Sequence, residues 1–415
     1  MEGNNKIERL YLAAWIPRTF LHLGEIYDFL SRTPEIKGLD AKKLVQLRDQ
    51  LKIDRVTFHR ENGFDHLIAI CGDIEISVSE DGVIILTTPV TEYQVTLNKL
   101  ETFYNNNFGP ALTYLFSRGA PLPKALSKAH DIYPIFIVAN NMTETEAGIF
   151  LESASDTLIT SQVSDEISFF TGKNITILSL LPAFKDAGIT EGELLRNVVF
   201  LDEFEKQLSH YLNLHRTMWD QVSKIRESRS MRYKDFPKIR EEILDFHRTL
   251  SFVKARLAQM EDIVDARAAT VNPTVREKLA TIGLDRFEYL KADQQYVNHL
   301  WQMTIEYVDG TLNLLEYLFQ ENTQRELSAI KFITFITAIT SFFGMNIGFP
   351  WEERWPEVAD SSYMVLIFMI AFAIGFYYFL KITIYNRRFV VKNSSKFKIK
   401  VSEIAELEAP KQTLS

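Results

Sequence analysis

The chain has 415 residues and a formal net charge of −8, with 24% charged and 46% apolar residues. The length exceeds one ordinary domain, and the negative balance argues against a general nucleic-acid binder. The single cysteine, Cys71, excludes intrachain disulfides and cysteine-based zinc sites. The apolar residues are unevenly spread, so an ordinary average conceals a membrane part.

The opening MEGNNKIERLYLAAWIPRTF has no basic segment followed by a long apolar core, and it is not an Arg- and Ser-rich, acid-poor leader. The N-terminal part is therefore expected in the cytoplasm. Residues 54–97 alternate as strands do: DRVTFHR, HLIAI, DIEISVS, GVIILTT and EYQVTL, separated by turns such as ENG at 61–63 and EDG at 80–82. PIFIVAN (134–140) and ITILSLL (175–181) add candidate strands, with helical stretches between, which predicts an α/β or α+β unit over residues 1–190. Cys71 falls in one of these runs and reads as a buried strand residue. There is no Gly-rich phosphate loop, His-Glu zinc motif or nucleophile elbow. The chain reads as a non-enzyme without a cofactor.

From Thr190 the pattern turns helical. Apolar residues recur at spacings of three and four through residues 191–272, a predicted hairpin, with Asp235 as N-cap and Pro237 in a first turn. VNP at 271–273 marks a break. A stalk helix over 274–326, starting near Thr274 or after Gly283, then enters the membrane without a stop signal, Gly310 being its soft point. On a heptad grid one stripe of this run collects Asp285, Glu288, Ala292, Gln295, His299, Gln302, Glu306, Asp309, Asn313, Glu316, Gln320, Thr323, Leu327, Ile330, Thr334, Thr337, Ser341 and Gly344. A coiled-coil seam should be apolar, and this stripe is polar almost throughout. For its soluble half, a solvated helix face is the alternative.

Two windows have membrane length. Leu327–Ile347 carries only Lys331, and Tyr363–Tyr385 carries only Lys381; roughly 20 apolar residues cross ~30 Å of hydrocarbon. Both lysines lie where their stems reach the headgroups. The tail, residues 386–415, is basic at Arg387, Arg388, Lys392, Lys396, Lys398 and Lys400, so it is expected in the cytoplasm by the positive-inside rule. Two spans return the chain to the side it left, and both termini are then cytoplasmic, in a multi-pass protein of the inner (plasma) membrane. The outer loop, 348–362, holds Glu352, Glu353, Glu357 and Asp360 against Arg354, with Trp351 and Trp355 as interfacial anchors.

In the membrane half the stripe is Thr334, Thr337 and Ser341. Hydroxyls on one face suit interhelical hydrogen bonds or a wet lumen. Two spans of one chain cannot enclose a pore, whereas several copies of the first can. Leu327 and Ile330 would then ring the inner mouth and gate by dewetting.

Gly344-Met345-Asn346, at the end of the first of two C-terminal spans, resembles the signature of CorA-type metal ion transporters, and the layout of residues 274–400 is similar too. The resemblance implies a homopentameric, funnel-like channel for Mg2+, sometimes Co2+ or Ni2+. In it Gly344, Met345 and Asn346 form the outer selectivity ring; the stripe itself offers Gln320, Thr323, Leu327, Ile330, Thr334, Thr337 and Ser341 as the pore lining. Two departures stand out: no proline lies between Leu327 and Ile347, and IGFPWEERWPE varies the usual run after the motif. A related Zn2+ branch resembling ZntB, which is possibly proton-coupled, and a non-conducting membrane-anchored scaffold are the alternatives.

The chemistry suits a hard ion. Mg2+ gives up water reluctantly, so neutral Asn346 amide oxygens can accept hydrogen bonds from its hydration shell and still release it. Gly344 permits a tight backbone, and Met345, a soft ligand, packs rather than coordinates. The outer acids would concentrate cations, unless they are ordinary solvated charges. In an oligomer Asp285, Glu288, Glu306, Asp309 and Glu316 would approach one another, and cytoplasmic Mg2+ bridging them would hold the stalk closed. His299 on the same stripe reads as a polar surface residue.

Overall fold

In the computed structural model the described residues are 6–16, 22–31, 36, 38–60, 64–116, 135–186, 188–227, 230–231 and 236–346, with 369–370, 372–377, 380 and 389–390 further on. The chain divides into two compact units: Met1–His215 with Arg248–Met303, and Arg216–His247 with Thr304–Ser415.

The first unit is built on a nine-stranded sheet. In chain order it comprises β1 (Ile7–Trp15), α1 (Leu23–Ser31), α2 (Ala41–Leu51), β2 (Arg55–His59), β3 (His66–Cys71), β4 (Ile74–Ser79) and β5 (Val83–Pro89). Next come α3 (Tyr93–Phe103), a π-helical turn at Tyr104–Phe108, α4 (Gly109–Phe116), β6 (Ile135–Asn140), α5 (Glu144–Ser153), β7 (Thr160–Val163), β8 (Ile167–Thr171) and β9 (Ile175–Leu180). The strand order is β2-β3-β4-β5-β1-β6-β9-β8-β7. Among the described residues only β6 and β9 pair in parallel, and β1 sits between β5 and β6, with Leu10 opposite Thr88 and Ile137. Gly72, at φ +64, supplies the left-handed turn that returns β3 into β4.

Alternation decides what each sheet face meets. Leu10, Leu12, Leu86 and Ile137 point into one buried cluster with Phe29 of α1, Leu44 of α2, Leu100 of α3, Leu112 of α4 and Leu151 of α5. From the opposite face Tyr11 and Trp15 meet the long helix α6 (Glu191–Glu227): the Tyr11 hydroxyl donates to Glu191, and Trp15 stacks on Phe204 at 5.1 Å. The expected α/β part followed by long helices is what the chain forms. One segment differs: EYQVTL enters α3 rather than a strand, because Tyr93, Thr96, Leu97 and Leu100 bury a helical stripe. Cys71 is buried in β3, as expected.

Beyond α6 the chain forms α7 (Phe236–Thr270), α8 (Pro273–Thr281) and α9 (Phe287–Asn346). Asn272 caps α8, accepting from the Thr274 backbone N–H, and Pro273 occupies its first turn. The stalk is therefore two helices, broken at Gly283 (φ +65), and the long one starts at Phe287. Within the second unit Ser230–Met231 pairs antiparallel with Phe389–Val390. Among the described residues no helix is long and apolar enough to cross a membrane. The expected second span, 363–385, and the basic tail lie largely outside those residues.

Candidate functional site

The site is α9, and its two faces are set by a heptad pattern. Phe287, Leu290, Gln294, Val297, Trp301, Thr304, Val308, Thr311 and Leu315 are all buried, at alternating spacings of three and four. That is a knobs-into-holes seam. α6 answers with Leu201, Phe204, Leu208, Tyr211, His215, Met218 and Val222, and α7 with Phe236, Ile243, Leu250, Leu257 and Val264. In the first unit Phe200 stacks on Phe287, His215 meets Trp301 edge-on at 5.6 Å, and Gln294 donates from Nε2 to the Leu257 carbonyl at 2.6 Å. In the second unit Trp219 stacks on Tyr307 at 4.7 Å and Phe236 on Phe319 at 4.8 Å.

The polar stripe lies on the far side of α9 from this seam. Glu288, His299, Glu306 and Gln320 are exposed, and Asp285, Asp309, Glu316 and Thr323 are half-buried. Three of its acids are met by basic side chains of the same chain. Arg276 Nε donates to both Asp285 oxygens at 3.0 and 3.1 Å, His247 lies 3.3 Å from Asp309, and Arg240 lies 3.5 Å from Glu316. Lys291 pairs with Asp265 at 2.8 Å, and the nearby Glu288 adds to the forces holding its ammonium above the usual range after Asp265. Among the described residues no group of three or more His, Cys, Asp or Glu is placed to hold a metal ion. The acids expected to sense metal are thus spread along α9 rather than gathered within one chain.

Sequence reasoning missed Arg240 and His247 because they lie far from Glu316 and Asp309 in the chain, whereas Arg276 stands close before Asp285 and was overlooked. Arg240, His247 and Lys254 recur every seven residues along α7, and Lys254 donates to Gln302 at 2.8 Å. That spacing is the signal that could have found them. A second missed row is apolar: Tyr289, Tyr296, Met303 and Tyr317 are 57%, 57%, 41% and 63% exposed. They sit beside the polar stripe at multiples of seven.

Further along α9 the cover ends. Leu327, Ile330, Phe332, Ile333 and Phe335 are all exposed, as are Thr334 and Thr337 between them. Every described side chain from Leu327 to Phe335 is exposed. The hydroxyls of Thr323, Thr334 and Thr337 donate to the carbonyls four residues earlier, at 3.0, 2.9 and 2.9 Å. Each therefore satisfies its donor within the helix and turns outward as an acceptor. Ser341 is exposed on the same stripe. Gly344, Met345 and Asn346 form the last turn of α9; their side chains, and all of Glu352, Glu353, Glu357 and Asp360, lie outside the described residues.

Residues 197–382 match the family of the CorA-like Mg2+ transporter protein. The match covers under half of the chain. It takes in most of α6, all of α7 to α9 and the expected outer loop, and it leaves the sheet outside the match. A search of the curated proteins finds no match.

Proposed function

We propose that the protein is a membrane channel that passes divalent cations, Mg2+ foremost, through a lumen shared by copies of α9. The observation that carries this reading is the stretch from Leu327 to Phe335. Its described apolar side chains are all exposed, inside the segment that matches a transporter family. Contiguous exposed apolar surface of this kind calls for a partner phase. Lipid and neighbouring copies supply it, while Thr334, Thr337 and Ser341 present oxygen to water.

The finer assignments follow the same logic. Five copies surround the axis, as the resemblance implies, and Tyr289, Tyr296, Met303 and Tyr317 pack between neighbouring copies. Asn346 rings the outer mouth and Leu327 and Ile330 the inner one. A divalent ion gains about 4.6 kcal/mol per 100 mV of inside-negative potential, twice the single-charge value, so no fuel is needed. Feedback by cytoplasmic Mg2+ must displace Arg276, His247 and Arg240 from Asp285, Asp309 and Glu316, or act at Glu288 and Glu306. Binding at the paired acids would be weaker for that competition.

The experiment is flux through purified protein in liposomes with Mg2+, Zn2+ and Co2+, wild type against Asn346→Ala. Mg2+ uptake should be carried by the wild type and fall about tenfold or more in the variant, the equivalent of about 1.4 kcal/mol of barrier. A scaffold would give no flux in either. A Zn2+ pathway would take up Zn2+ in preference.

A further inference from the structure

The end of α6 and its connection to α7 carry charge that conduction does not use. Over residues 224–234, Lys224, Arg226, Arg229, Arg232 and Lys234 stand against Glu227 alone, in a chain whose net charge is −8. The tail sets Arg387, Arg388 and Lys392 against no acid. The fold joins the two segments: Ser230 pairs with Val390 and Met231 with Phe389, antiparallel. Along the chain, Arg229 and Arg232 flank the first pair member and Arg388 directly precedes the second. Two cationic segments that would repel are held side by side.

Two chain-length arguments within the second unit fix their depth. Phe236, the first residue of α7, stacks on Phe319 at 4.8 Å. Phe319 precedes Leu327 by eight residues, about 12 Å of helix. From the other side, Phe389 follows Tyr385 by four residues, which reach at most about 14 Å. With Leu327–Ile347 and Tyr363–Tyr385 as spans, both routes end within reach of the cytoplasmic headgroups. Lys224 and Lys238, on the adjoining turns of α6 and α7, are exposed. The positive-inside rule counts basic residues within about 15–20 residues of a span. It accounts for Arg387 and Arg388, but not for the basic run at 224–234, which lies far ahead of Leu327 in the chain.

We propose that the joined end of α6, α7 and the tail binds the phosphates of anionic lipids in the cytoplasmic leaflet. This rests on the membrane placement of the channel reading and adds a partner to it. Lipid phosphates relieve the repulsion between the two basic segments, and a leaflet presents them at high local density. The attraction acts on each Lys or Arg near the surface and fades within a Debye length, about 8 Å at physiological salt. Lipid bound there anchors the start of α7, which Phe236 and Arg240 tie to α9 at Phe319 and Glu316.

Hydrogen exchange in the peptide covering residues 224–235 tests this on the full-length protein. Vesicles of phosphatidylcholine alone are compared with vesicles that also contain phosphatidylglycerol. Wild-type protection should be several-fold greater in the anionic vesicles and should fall when salt is added. Replacing Arg229→Gln, Arg232→Gln and Lys234→Gln together should abolish the difference. Equal wild-type protection in the two vesicles overturns the proposal, as does a difference that survives the triple replacement. Equal protection by inorganic phosphate in phosphatidylcholine vesicles would make the ligand a free anion and overturns it too. Mg2+ flux in the same vesicles separates the two readings. Flux with equal protection removes the lipid site alone, whereas protein that floats with neither vesicle removes the membrane placement beneath both.

Discussion

α9 is one continuous helix with two unlike portions. From Phe287 to Leu315 a heptad row is wholly buried, and α6 and α7 cover it. From Leu327 to Phe335 every described side chain is exposed, phenylalanines and isoleucines included. The difference is exposure: the first portion is covered by α6 and α7, and the second presents apolar side chains to the surface among the described residues. Exposed apolar surface of that extent calls for cover.

Substitutions in the covered portion should break the fold first. Trp301 is fully buried against His215, and Trp301→Ala should cost about 3–5 kcal/mol, as for other large core aromatics. Chemical unfolding in detergent, followed by far-UV circular dichroism, would register the loss.

Gln294 sharpens the point with a smaller effect. It is fully buried, and its Oε1 has no hydrogen-bond partner among the described residues, although Nε2 reaches the Leu257 carbonyl. Gln294→Leu removes that unpaired acceptor and should leave stability within about 1 kcal/mol of wild type or above it. A loss of several kcal/mol would show that the amide fixes the helix register.

Smallest of all should be Arg240→Ala, which removes a half-exposed partner of Glu316. Exposed ion pairs are worth about 0–1 kcal/mol. The stability change should therefore be slight, while the freed Glu316 should bind cytoplasmic Mg2+ more readily. A rightward shift in the Mg2+ dependence of flux would contradict the competition described above.

Much of the order of elements was legible in the sequence. Period-two alternation marked β2 to β5, apolar runs marked β6 and β9 as candidate strands, and three-four spacing marked the long helices. β1 was missed because IERLYLAAW is central in its sheet and buried on both faces, so it does not alternate. EYQVTL misled because its residues favour strands, and only tertiary burial of Tyr93, Thr96 and Leu97 reveals the helix. The covered face of α9 was hidden by Gln294, Thr304 and Thr311, polar members of a buried seam. The polar stripe was visible at once. Of its basic partners, His247 and Arg240 became visible only when folding brought α7 against α9, while Arg276 is a near neighbour of Asp285 in the chain.

Cysteine chemistry tests the account most directly. The native Cys71 is buried, and burial together with Asp54 pushes its thiol up to about 12, so it stays unreactive. Thr334→Cys, Thr337→Cys and Phe335→Cys would each be reconstituted in liposomes and exposed to a small, charged, membrane-impermeant thiol reagent during Mg2+ uptake. Block at the two threonine positions, with Phe335→Cys spared, is the expected result. Uninterrupted flux at both threonine positions, with reaction at Phe335→Cys instead, would place the lumen on another face and contradict it.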